Sequence, residues 1–295
     1  MRRIVSFIGA IRAWEAAPFC GVALLGYLLD RRTAGCSLPA SLWFAVSGSF
    51  FLAGFAFVFN DLQDVEADRL SGIKSERPLV SGLFSPVTSR ALSAMFAVTG
   101  VFLLALGTKW QSLVIGLATV PLSILYCIRI FPLKTVPVIS SLLHVVQATL
   151  VFLLGAWSTG QADPASLWIG LYFGILLAAG HLHHEVLDQE ADRRTGVRTH
   201  AVRFGAGPTL RAGFLVWCLS CVYFSALMLL DLVPTSLGWI QLAMFACYLA
   251  AFFALVPGGT NARRMRGLQK IYRVAYFLGG LAMIAALASE RSCFR

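Results

Sequence analysis

Apolar runs long enough to cross a ~30 Å hydrocarbon core as a helix recur from one end of the chain to the other. They lie near 15–30, 41–59, 91–108, 110–128, 136–157, 166–182, 209–230, 236–256 and 271–288, separated by short polar connections. The pattern predicts nine transmembrane helices in one all-α, multi-pass bundle, a single domain over residues 1–295. The first run is the weakest, because Arg12 and Glu15 crowd its start and Asp30 ends it. The opening Met1-Arg2-Arg3 is basic, but no small-residue cleavage site follows a short apolar stretch, so the first span is expected to be retained.

Composition agrees with the pattern. Hydrophobic residues make up 58% of the 295 and charged residues 13%, against about 45–50% and about 25% in soluble domains. Five of the seven cysteines (Cys20, Cys127, Cys218, Cys221, Cys247) fall inside apolar runs, where they act as small hydrophobes and imply no disulfide framework. The net charge of +10 does not indicate nucleic acid, because the basic residues are spread over connecting loops with no soluble domain to carry them. Topology accounts for them. With the N-terminus inside, the inner segments hold 19 of the 24 Lys and Arg, leaving only Arg31, Arg32, Lys109, Arg291 and Arg295 outside. The positive-inside rule therefore favours nine spans with the C-terminus out, in the inner membrane if the cell is bacterial.

Acidic residues are scarce, 14 in all, and eight of them sit in two short segments. Asn60-Asp61-Leu62-Gln63-Asp64-Val65-Glu66-Ala67-Asp68 follows the second span, and His184-Glu185-Val186-Leu187-Asp188-Gln189-Glu190-Ala191-Asp192 follows the sixth. Both occupy even-numbered connections, so they share one membrane face whichever way the protein is inserted. A shift of 124 positions places Asp64 on Asp188, Glu66 on Glu190, Asp68 on Asp192 and Gly72 on Gly196. Spans 2–5 and 6–9 then form two four-helix pseudo-repeats with a site between them. If each motif continues its span as a helix, Asp61, Asp64 and Asp68 fall within an arc of roughly 60°, as do Glu185, Asp188 and Asp192. Glu66 and Glu190 point elsewhere, in a solvated or structural role.

Like charges so spaced repel unless a cation offsets them. Oxygen ligands without cysteine suit a hard divalent ion, and Mg²⁺ typically takes one or two carboxylates plus phosphate oxygens. The arrangement suits a metal-bridged diphosphate, with Lys74, Arg77 and Arg198 available for its remaining charge.

The pattern Asn60-Asp61-x-x-Asp64-x-x-x-Asp68 followed by Arg77-Pro78-Leu79, with Asp188-x-x-x-Asp192-x-x-x-Gly196 four spans later, resembles the signature motifs of the UbiA superfamily of intramembrane prenyltransferases. The likeness covers essentially the whole chain. It implies Mg²⁺-dependent transfer of a polyprenyl group from its diphosphate to a lipophilic acceptor, an aromatic quinone-type precursor being the expected one. Lipid or glyceryl acceptors, phosphoribosyl transfer and prenyl cyclisation are alternatives within the fold. Carried over by position, Asn60, Asp61, Asp64, Asp68, Asp188 and Asp192 become the metal and diphosphate residues. Leu125-Tyr126-Cys127 with Lys134 is similar to the family's Tyr-Ser and downstream Lys. Tyr126 would then lie near the ionising carbon, and Lys134 would bind the leaving group. The chain departs from the family at Cys127, where Ser is usual, and at Arg12-Ala13-Trp14, where many members carry an Arg-Pro motif on the acceptor side.

Outside that pattern, His181, His184, Glu185 and Asp188 share a helical face that could imitate a transition-metal site, although no HExxH is present. Acceptor-side and packing roles remain open for these residues and for His183, and His144 is either a buried hydrogen-bonded residue or an acceptor-facing base. Phe51, Phe55, Phe57 and Tyr172 are available to line the prenyl cavity. A transporter would also show repeats and intramembrane charge, but with ionisable groups near the midplane instead of at one interface. The charge asymmetry predicts that segments 60–90 and 183–208 face the cytoplasm. Single-cysteine labelling in sealed vesicles should find both protected from outside reagent, and labelling of the two on opposite faces would dismantle the shared site.

Overall fold

The computed structural model describes residues 12–30, 38–71, 77–128, 130 and 133–290. They form ten α-helices: α1 Ala13–Leu29, α2 Ala40–Ser71, α3 Pro86–Gly107, α4 Trp110–Cys127, α5 Ile139–Ala156, α6 Ala165–Thr195, α7 His200–Phe204, α8 Ala206–Leu229, α9 Leu237–Leu255 and α10 Ala262–Glu290. Single 3₁₀ turns at Leu133–Thr135 and Val256–Gly258 interrupt the connections, and no strand occurs among the described residues. Eight helices are long and apolar enough to span a bilayer, and α1 is a shorter apolar helix. Its 17 residues reach about 25 Å, so all nine predicted spans are helical. The protein is an integral, multi-pass membrane protein, and the five-residue α7 is the addition that hydropathy did not signal.

Several helices outrun their apolar runs for local reasons. α2 has 32 residues and α6 has 31; neither meets a Gly or Pro between the end of its apolar run and its motif, so both continue as helix through the acidic segment. α6 then stops at Gly196, whose φ of 76° is left-handed. The Val197 N–H reaches the Asp192 carbonyl at 2.9 Å, the closing bond of a Schellman cap. α3 starts at Pro86, ahead of its hydrophobic run, because the Ser85 hydroxyl accepts from the Thr88 N–H at 3.0 Å. α10 likewise starts with a basic turn, where the Asn261 side chain accepts from the Arg264 N–H at 3.0 Å in the same capping role.

The two halves repeat their packing. α2 lies against α3, α3 against α4, α4 against α5 and α2 against α5; in the second half α6 lies against α8, α8 against α9, α9 against α10 and α6 against α10. α5 and α6 join the halves, and α1 packs on α2, α5 and α10. Large apolar side chains such as Val98, Phe102, Trp110, Leu229 and Trp239 are exposed on the outer surface, as lipid-facing positions require. Inside, hydroxyls return to their own helix: Thr119 donates to the Gly116 carbonyl, Ser123 to Thr119 and Ser220 to Trp217, which satisfies them without water.

The tightest approach is between α1 and α5. A Cβ on Gly155 would lie 1.7 Å from the Ala23 carbonyl oxygen, and one on Gly26 would lie 2.0 Å from that of Phe152. Small residues let the two backbones touch, the usual basis of close packing in lipid. Gly155→Val would force them apart. Overpacking ordinarily costs about 1–3 kcal/mol, and here the overlap is with backbone, so the thermal midpoint in detergent is expected to fall well below that of a lipid-facing control such as Val98→Leu. An unchanged midpoint would show that α1 is not held there.

Candidate functional site

α2 and α6 pack on each other, and each carries one acidic segment toward its C-terminal end. On α2, Asp61 and Asp68 are buried, at 8% and 3% exposure. Arg77 bridges them, 2.8 Å from Asp61 Oδ1 and in contact with Asp68 Oδ2. Burial works to lower the Arg77 pKa, but Asp61, Asp68 and Asp64 outweigh it and hold the group above its ordinary value. Asp64 accepts from Asn60 Nδ2 at 2.9 Å and pairs with Lys134, which reaches over from the 3₁₀ turn after α4. The predicted face is therefore real on α2: three carboxylates in one arc, met by cations from two other segments. Glu66 lies outside it, exposed.

A further cation comes from a position the sequence marked only as a departure. Arg12, left-handed at the start of α1 (φ 51°), places NH1 3.1 Å from Asp61 Oδ1 and its guanidinium 4.6 Å from the centre of the Phe57 ring. No local pattern signals a contact 49 residues away; only the closure of α1 onto α2 creates it. Lys74 lies outside the described residues. Arg198 is exposed in the α6–α7 connection and forms no ion pair among the described residues.

α6 presents its carboxylates differently. Asp192 accepts from Thr199 Oγ1 at 3.2 Å, and Asp188 lies 3.5 Å from His184 Nε2, whose ring is also held by Gln269 of α10 at 2.8 Å. Glu190 is exposed and pairs with Arg194 at 3.0 Å. Glu185, the counterpart of Asp61, turns to another partner set. It sits 2.9 Å from His181 Nε2, and it accepts from His200 Nδ1 at 3.0 Å and from the His200 backbone N–H at 2.8 Å. Sequence periodicity grouped His181 and Glu185 with His184 and Asp188; the structure substitutes His200 from α7.

The candidate ligand atoms of His181, Glu185 and His200 lie within 4.8 Å of one another, but the hydrogen bonds give them another task. The Val138 N–H donates to His200 Nε2 at 2.7 Å, so the proton of the neutral ring is on Nδ1, the atom that would have to bind metal, and is donated to Glu185. Val138 has a φ of 71°, a strained conformation for a β-branched residue, and it is the residue at which α5 begins. The Glu185–His200 anchor thus fixes the entry of α5.

Tyr126, near the end of α4, is half-buried, with its ring edge-on to His144 at 5.1 Å. Its hydroxyl lies within electrostatic reach of Glu185, Asp64 and Asp192, so it looks toward both motifs. Cys127 donates to the Ser123 carbonyl at 3.2 Å, within its own helix. His183 belongs to the core, bonded to the Ala179 carbonyl at 2.6 Å and to the Tyr248 hydroxyl at 2.8 Å. Tyr172 is also a core residue, buried and bonded to Gln241, and Phe55 packs with Val58 and Phe96.

The UbiA prenyltransferase family model matches residues 19–287. The chain is 27% identical over 274 residues to the digeranylgeranylglyceryl phosphate synthase of Methanopyrus kandleri, covering 91% of this chain and 95% of that protein. It is 24% identical over 267 residues to the 4-hydroxybenzoate octaprenyltransferase of Acidovorax ebreus, covering 84% and 87%. Its structure is similar to that of a UbiA homolog from Archaeoglobus fulgidus bound to GPP and Mg²⁺, with a TM-score of 0.73 at 19% identity over 95% of this chain and 99% of that one.

Arg77 is the bridge on which the α2 carboxylates depend. Arg77→Met should cost about 3 kcal/mol, the scale of breaking a buried pair on one side, and lower the thermal midpoint. Millimolar Mg²⁺ should restore more of that midpoint in the variant than it adds to the wild type, because the carboxylates then lack their resident cation. Equal Mg²⁺ responses would show that the Arg77 pairs do not hold the site.

Proposed function

The chain belongs to the UbiA prenyltransferase family and is a prenyltransferase, and from that premise we propose that it transfers a polyprenyl group from its diphosphate to a hydroxyl-bearing lipophilic acceptor. The observation that carries the site assignment is the meeting of two carboxylate-bearing helix ends, with Arg12, Arg77 and Lys134 on one and Tyr126 between them.

The donor set fits a hard divalent cation, since Asn60, Asp61, Asp64, Asp68, Asp188 and Asp192 offer oxygen and no sulfur. These residues would hold Mg²⁺, which when bound neutralises charge developing on a diphosphate leaving group. The chain's own groups do the rest. Arg77 and Lys134 exchange part of their pairing with Asp61, Asp68 and Asp64 for diphosphate oxygens, so the substrate enters a site whose cations are already in place. Tyr126 offers its hydroxyl and ring face on the side toward α5. The helix walls exclude water, which would otherwise capture the allylic cation.

Two acceptor classes follow from the relatives. The aromatic reading agrees with the hydroxybenzoate relative. A glyceryl acceptor is supported by the near-complete coverage of the Methanopyrus protein. Both carry a hydroxyl, and incubation of purified protein with geranylgeranyl diphosphate, Mg²⁺ and either 4-hydroxybenzoate or geranylgeranylglyceryl phosphate separates them by product mass.

In that assay EDTA should abolish turnover and added Mg²⁺ should restore it. Asp64→Asn and Asp192→Asn should each slow transfer by about 10²–10³-fold, and the double variant should be little worse, as expected for groups acting as one unit. Glu66→Gln and Glu190→Gln should stay near wild type. Full activity without divalent metal, or loss in the Glu variants alone, would overturn the assignment.

A further inference from the structure

His144 lies in the second turn of α5, facing α4 and α6. Its Nδ1 is 2.8 Å from the Ser140 carbonyl oxygen. A carbonyl can only accept, so Nδ1 carries the proton, and in the neutral ring Nε2 is a bare lone pair. That tautomer is fixed by backbone, not by a side chain that could turn away. The ring is stacked on His181, centroids 3.8 Å apart and planes within 17°, and lies edge-on to Tyr126. His181 in turn is held by Glu185 at 2.9 Å and Ser140 Oγ at 3.1 Å.

Three parts of the fold therefore converge on the orientation of one imidazole, although its acceptor nitrogen has no hydrogen-bond partner among the described residues. His144 is half-buried, and Nε2 is not among the atoms sealed from solvent. The Tyr126 hydroxyl beside it is likewise unpartnered and unsealed. A lone pair and a hydroxyl left open in this way are free to exchange hydrogen bonds with a ligand. Two open polar groups on adjacent helices, α4 and α5, offer a polar pocket beside Tyr126, whose hydroxyl is within electrostatic reach of Asp64 and Asp192.

We propose that this pocket receives the acceptor's hydroxyl group and that His144 Nε2 is the base that takes its proton. The inference rests on the prenyl-transfer reading and adds a catalytic residue to it. As the allylic C–O bond breaks, its electron pair leaves with the diphosphate. With an alcohol acceptor, oxygen forms the new bond to carbon and its proton passes to Nε2. With a phenol, loss of the hydroxyl proton to Nε2 raises electron density on the ring, the ring carbon forms the bond, and that carbon then loses its hydrogen as a proton while the oxygen regains one, which restores the aromatic phenol. The proton then leaves with the diphosphate product, which restores the neutral imidazole. Glu185 and His200 act as positioning residues, through Val138 and His181.

The test is His144→Phe, which keeps a flat ring to stack on His181 and meet Tyr126 but removes the nitrogen. With the acceptor that wild type turns over, kcat should fall by about 10²–10⁴-fold, the range for general base catalysis. Mg²⁺-dependent binding of geranyl diphosphate, measured by calorimetry, should stay close to wild type, and the thermal midpoint should be retained. His144→Ala guards against misfit of the larger ring, and added imidazole should recover part of its turnover. Turnover near wild type in either variant would overturn the proposal, as would a loss in both that tracks loss of diphosphate binding. Failure of wild type itself to bind geranyl diphosphate would overturn the prenyl-transfer reading, and the base with it.

Discussion

Carboxylates at the end of a membrane-spanning helix are among the most expensive groups this molecule has to place, because lipid and packed helices offer little solvation and an unpaired buried charge is not tolerated. Much of the inner face can be understood as the solution to that problem. Arg77 reaches Asp61 and Asp68, the turn after α4 brings Lys134 to Asp64, and α1 enters with Arg12 against Asp61. On α6, Glu185 draws in His200 and with it α7. Loops that would otherwise only connect helices are fixed by the charges they neutralise, and the same cations are available to a diphosphate.

Most of the scaffold was legible because it depends on repetition. Each apolar run became a helix, and the acidic spacing on Asp61, Asp64 and Asp68 produced a face that the structure retains. Boundaries moved where capping chemistry, not hydropathy, decides them: Ser85, Asn261 and Gly196 set ends that the apolar pattern does not mark. The missed site residues share a cause. Arg12 and His200 act across 49 and 15 residues, through contacts that exist only after helices close on one another. Tyr172, one of several aromatics available for a cavity wall, has its hydroxyl bonded to Gln241 inside the core, a partner 69 residues away that no local pattern signals.

The repeat is more informative where it fails than where it holds. Asp61 and Glu185 occupy equivalent positions, yet one is paired with two arginines and the other is contacted by two histidines. Arginine is always charged and forks onto oxyanions, whereas neutral imidazole can give or take a proton. The two carboxylate helices are similar, and under the proposed function the difference in partners suits one of them to a phosphate-facing wall and the other to supporting proton-accepting chemistry.

That asymmetry bears on how one fold can serve different acceptors. The diphosphate side draws on charged groups whose spacing follows from helical periodicity on α2 and α6, so it is constrained by geometry that leaves little room for change. The acceptor side, as proposed, is built from Tyr126 and His144 on α4 and α5. Changes in side-chain volume there reshape a pocket without disturbing the carboxylate faces. The chain is similar over most of its length both to a glyceryl phosphate synthase and to a hydroxybenzoate prenyltransferase, as expected if acceptor choice can change while the membrane scaffold is kept.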